Sequence, residues 1–209
     1  MKKIITLIAL VVAVTVSAQS QYENGMNKAF ELWGANKTKE AGQLFERISK
    51  AEKDKWLPAY YAATIEILSS FGVKEEATLK SKLNKAQGFL DTAKSLSSDN
   101  PEILITQALL NTAYMAFDGQ KYGMTMSMKN NALYGKAFKI APNNPRVVMS
   151  KAEADMGAAR FFGKSIAPYC KDVERAIELA KKEKTTEKFY PRFMFDRAEQ
   201  IVKQCKKKK

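Results

Sequence analysis

Few of the residues that usually carry chemistry are present, and the gaps decide as much as the groups that remain. None of the 209 residues is a histidine. The commonest general base, metal ligand and neutral-pH switch is therefore missing. Serine–histidine and cysteine–histidine catalysis are excluded. The stretch "YGMTMSM" sets Met124, Met126 and Met128 at two-residue spacing. Thioethers can hold copper(I), but on a helix Met124 and Met128 share a face while Met126 points away. Filling a core or a turn is the better reading. The carboxylate pairs Glu75/Glu76 and Glu153/Asp155 do not face one another at helical spacing, so they read as solvated. No phosphate loop, zinc spacing or calcium loop occurs. No enzyme, metal or cofactor is expected.

Cys170 and Cys205 are the two cysteines. In an oxidising compartment a small even count points to one disulfide. Closing that loop of about 35 residues would contribute roughly 3 kcal/mol. The alternative is two unpaired thiols. "ARFFGKSIAPYC", Ala159 to Cys170, is the least repetitive stretch. It reads as a structured turn with Phe161 and Phe162 wedged into the core and Cys170 bridged. A binding loop is the competing reading.

The elements that must position these groups begin after a leader. Lys2 and Lys3 precede the uncharged apolar run Ile4 to Val16, and Val16 and Ala18 occupy the small positions before a cut. Residues 1–18 thus read as a signal peptide, too short in apolar length for a spanning helix. Export to the periplasm is expected, with secretion or the outer surface as alternatives. The formal charge is +13, and five of the last seven residues are lysine. Such a chain could touch an anionic lipid or acidic polysaccharide. Nucleic acid is not expected, because export removes the usual target.

Residues 19–209 carry an internal repeat. At an offset of 44, Leu90 falls on Tyr134, Ala93 on Ala137, Leu96 on Ile140, Asn100 on Asn144, Pro101 on Pro145 and Ala108 on Ala152. Asparagine before proline suits a helix N-cap followed by the first helical position. Fainter copies set Ala41, Phe45 and Ile48 upstream and Val173, Ala176 and Leu179 downstream. Apolar residues recur at three and four spacing. Helices are expected over 21–35, 38–52, 57–70, 75–96, 101–117, 123–140, 145–160, 170–183 and 191–205. Helices that overrun the usual length, joined by wider turns within each pair, are expected to absorb the residues that lengthen the repeat.

This pattern of small and large apolar positions, closed by proline, resembles the tetratricopeptide repeat family. Its best matches are Tyr134, Ala137 and Pro142, then Ala86, Leu90 and Ala93. The family period is about 34 residues and this one is longer. Asn130 stands where Ala86 stands in the preceding copy. The resemblance implies an all-α fold: a right-handed α-α superhelix of about four helix pairs with a C-terminal capping helix. It also implies a concave groove lined by the first helix of each pair. By position, the groove candidates are Tyr61, Thr64, Ile105, Thr106, Leu109, Arg146, Met149, Ser150 and Glu153. The expected function is a non-enzymatic exported scaffold holding a protein or peptide partner in that groove. The alternative is a peripheral binder of anionic lipid or acidic polysaccharide, with weak anionic-surface contact.

Overall fold

The computed structural model describes residues 19–207, and these are helical apart from turns and loops, with no strand among the described residues. Residues 1–18, which carry the expected leader, and the last two lysines lie outside them. Helix α1 covers residues 19–34. It is followed by α2 (Thr38–Ala51), α3 (Trp56–Leu68), α4 (Glu76–Leu96), α5 (Pro101–Phe117), α6 (Gly119–Ile140), α7 (Pro145–Phe161), α8 (Cys170–Lys182) and α9 (Phe195–Lys207). A single 3₁₀ turn, Ala167–Tyr169, leads into α8. No helix among the described residues is long and apolar enough to cross a membrane.

Neighbouring helices stack in sequence order into an α-α superhelix. The reason lies in their faces. Ala41, Phe45 and Ile48 bury one stripe of α2, so α2 is a surface helix. Helices α3 and α5 are buried on most sides, through residues such as Leu57, Ala59, Ala63 and Ile67 or Ile103, Ala108 and Leu110. Each lies between neighbours in the stack. The core accordingly runs along the array, from a cluster spanning α1 to α5, through one joining α5, α6 and α7, to one uniting α7, α8 and α9.

The repeat boundaries are built from local hydrogen bonds. Asn100 Oδ1 accepts from the backbone N–H of Glu102 at 2.9 Å. Asn144 Oδ1 accepts from those of Arg146 at 2.9 Å and Val147 at 3.2 Å. Pro101 and Pro145 follow at the first helical position, where a missing donor costs nothing.

The extra length of the repeat falls chiefly in the overlong helices, and the wider turn expected between α5 and α6 is missing. Helix α4 has 21 residues and α6 has 22. A turn wide enough to delay α6 to residue 123 does not form. Asp118 alone separates α5 from α6, and its Oδ1 accepts from the Lys121 N–H at 2.9 Å. One capping side chain starts a helix expected to begin at residue 123. Asn130 is buried, and its amide explains its place at a small-residue position. Its Oδ1 accepts from Asn111 Nδ2 at 2.8 Å, and its Nδ2 donates to the Ala108 carbonyl at 3.1 Å.

The capping helix α9 sits on α8. Cys170 and Cys205 are bonded, with their Cα atoms 6.1 Å apart. Phe161 and Phe162 correct the expected wedge. Their rings meet edge to face with centroids 5.1 Å apart, yet they are 79% and 69% exposed. The chain turns at Gly163, whose φ of +65° suits glycine, and it is Ile166 that fills the core instead.

Candidate functional site

The expected groove residues lie on α3, α5 and α7, and none of them is exposed. Tyr61, Ile105, Thr106, Arg146 and Met149 are buried, and Thr64, Leu109, Ser150 and Glu153 are half-buried. Several are covered by the chain itself. The irregular segment 183–194 between α8 and α9 crosses the first helix of all four pairs. Phe189 packs on Tyr22 and Phe30 of α1, with ring centroids 5.9 Å away in both cases. Tyr61 Oη of α3 donates to the Phe189 carbonyl at 2.6 Å, and Trp56 Nε1 donates to Glu187 at 3.2 Å.

At α5 and α7 the segment is held by charge. Arg146 Nε donates to Glu102 Oε1 at 2.8 Å, and its two terminal nitrogens reach Glu183 at 2.8 and 2.6 Å. The Tyr190 ring lies 5.1 Å from the guanidinium carbon, and its Oη donates to Glu102 at 3.3 Å. Burial disfavours the charge on Arg146, but the bonds it donates to Glu183 and the pairing with Glu102 outweigh it and hold the group protonated. Tyr60 and Tyr61 are pushed up, chiefly by burial. The place expected for a groove is therefore an occupied interior with ionic anchors.

An open cleft of about 320 Å³ lies instead between α4 and α6, with α5 behind them. It exists because α4 and α6 are long. Their N-terminal halves flank the C-terminal half of α5. Leu83, Leu110 and Met126 supply apolar surface, Asn84, Gln87 and Asn111 supply amides, and Lys80 and Lys129 supply positive charge. Tyr114 and Tyr122 also line it, with ring centroids 5.0 Å apart and planes tilted by 49°. Burial raises the Tyr114 hydroxyl. The methionine trio divides around this cleft. Met126 faces it, whereas Met124 and Met128 are exposed, so core or turn filling does not describe those two.

The rim is tied by Glu76, which is no solvated bystander. Lys121 Nζ donates to both of its oxygens at 2.7 and 2.8 Å, Lys80 Nζ lies 2.8 Å from Oε1, and Tyr122 Oη donates to Oε1 at 2.5 Å. The hydrogen bonds from Lys121, Lys80 and Tyr122 lower its carboxyl to about 2. The other carboxylates singled out in the sequence have separate partners, Glu153 with Arg197 and Asp155 with Lys151, each at 2.6 Å. None of the cleft tyrosines or lysines stands out in the sequence. The nearest signal is the tyrosine pair bracketing Asp118, which only a tight α5–α6 reversal brings together.

No family model matches the chain, and no curated protein matches it. Among solved structures, the HusA haemophore from Porphyromonas gingivalis is similar over 90% of this chain and 94% of that one, with a TM-score of 0.78 and 22% identity. At that identity the likeness establishes the shared all-helical fold. It corrects the expected protein or peptide partner, with its accompanying weak anionic-surface contact, because the similar protein is a haemophore. The physical reason is the segment 183–194, which fills the groove meant for a peptide.

Proposed function

We propose that this protein binds a tetrapyrrole, a haem or a porphyrin, in the cleft between α4, α5 and α6, without turning it over. The observation that carries this reading is the tilted Tyr114–Tyr122 pair beside an apolar wall, with Lys80 and Lys129 lining the same space. A flat ring needs aromatic and aliphatic faces, and its propionates need cations. The cleft is at the lower end of small-molecule sites, roughly 300–1,000 Å³, and it is open to solvent, so part of the ring would protrude. The similar fold of a haemophore supports the reading. Iron would have no histidine available, and both cysteines are bonded. The lining residues with haem-ligand chemistry are Met126, Tyr114 and Tyr122.

The wider frame follows the same reading. Residues 1–18 act as an export leader to the periplasm, and 19–209 form one array of tetratricopeptide-like pairs. Non-enzymatic capture fits a chain that has no histidine.

The test is titration of the protein with haemin and with iron-free protoporphyrin, followed by the ring's absorption band. Saturable binding is expected. An aromatic contact is worth about 1 kcal/mol, so Tyr122→Ala and Tyr114→Ala should each weaken binding roughly fivefold. Absence of saturable binding would overturn the proposal, as would binding indifferent to both substitutions.

A further inference from the structure

Glu76 occupies the rim of the cleft in the manner of a bound ligand. Its carboxylate accepts from Lys80, Lys121 and the Tyr122 hydroxyl at once. Lys80 and Tyr122 also line the cleft, so this constellation faces both ways. Lys121 stacks its ammonium 5.3 Å from the Tyr122 ring centre, which orients cation and phenol together. Glu76 is the first residue of α4, and its side chain is 32% exposed. It contributes nothing to the buried stripe of that helix, which is Leu79, Leu83, Ala86, Leu90 and Ala93. Its two-methylene stem can swing into water while the helix stays packed.

Building on the tetrapyrrole reading, we propose that Lys80, Lys121 and Tyr122 form a carboxylate receptor and that Glu76 is its resident, displaceable occupant. A ring bearing a carboxylate replaces Glu76 like for like. The two ammoniums and the phenol keep their partners, and Glu76 gains hydration. A ring without a carboxylate meets cations that already hold a carboxylate partner and gains nothing there. Glu76 is then a specificity-determining residue. It makes the cleft selective for ring carboxylic acids, and it lowers the affinity for them by competing.

The experiment measures dissociation constants of iron-free protoporphyrin IX and of its bis-amide, in which both carboxylates are capped by a neutral polar amine. The wild-type protein is expected to prefer the diacid about tenfold. In Glu76→Gln the diacid should bind roughly three- to tenfold more tightly, and the bis-amide should be unchanged. Glu75→Gln removes the same charge from the exposed neighbouring residue and should change neither constant. Lys80→Met with Lys121→Met should remove most of the preference, leaving only what Lys129 supplies. Far-UV circular dichroism of each variant checks the fold. Equal affinity of the wild type for both rings, or equal gains in Glu76→Gln and Glu75→Gln, would overturn this inference and leave tetrapyrrole binding standing. Failure of both rings to bind would overturn the two readings together.

Discussion

Glu76 of α4 and Asn130 of α6 both join α6 to a neighbouring helix by polar contact, one at the surface and one in the core. The Glu76 carboxyl is depressed to about 2, first by the Lys121 bond and then by Lys80 and Tyr122. A depressed carboxylate stabilises the fold above its ordinary value and loses that contribution as pH falls through the folded one. The rim contact should therefore persist through pH 4 and dissolve near pH 2. A carboxyl-carbon NMR titration should place the Glu76 midpoint near 2; a midpoint near the ordinary value of about 4.3 would mean that the contact does not form in solution. Asn130 acts by hydrogen bonding in the interior. Asn130→Ala removes the acceptor of Asn111 Nδ2, a residue that is itself 6% exposed. A buried unpaired amide costs about 1–3 kcal/mol. Chemical denaturation should show that loss, and Asn111→Leu combined with Asn130→Ala should restore most of it.

At the scale of the helix, legibility followed the locality of the signal. Asn–Pro at 100–101 and 144–145 announces two helix starts because cap and proline act within three residues. The apolar stripe of α2 could be read for the same reason. The start of α6 could not, because Gly119 and Gly123 suggest a loop while the Asp118 cap and the neighbours of a long helix override them. Phe161 and Phe162 were misplaced because hydrophobicity argues for burial, whereas Gly163 turns the chain and Ile166 takes the core position. The cleft was hidden because it arises from the overhang of two helices, which no single motif encodes. Gly88 lies inside α4 with nothing within 4 Å of an added Cβ, so Gly88→Ala should stabilise the protein by about 0.5–1 kcal/mol. Phe161→Ser with Phe162→Ser should leave the unfolding free energy from chemical denaturation almost unchanged, within about 0.5 kcal/mol. A large loss would show that the rings are buried after all.

The whole molecule departs from a simple array in one respect. In a repeat solenoid each unit touches only its neighbours, so damage at one end stays there. Here the segment 183–194 connects the end of the chain back to its beginning. Lys188 reaches Glu23 at 2.5 Å across 165 positions, and Trp56 and Tyr61 hold the segment across 131 and 128. Phe189 is the keystone of that closure. It stacks on Phe30, meets Tyr22 edge-on, and sits at a φ of +66°, a conformation a bulky residue keeps only when its surroundings over-determine it. Phe189→Ala should therefore loosen helices that are remote in sequence. Amide hydrogen exchange is expected to speed up in α1 and α3, with a global loss of about 2 kcal/mol. Reducing the Cys170–Cys205 disulfide should act differently. It ties α9 to the start of α8, so faster exchange should stay in α8, α9 and the preceding turn while α1 is undisturbed. If Phe189→Ala left α1 as protected as before, the segment would be a passive cover, and the array would be open-ended after all. If it unlocked α1 alone and spared α8 and α9, the closure would be a contact between the two ends of the chain that the intervening pairs do not transmit.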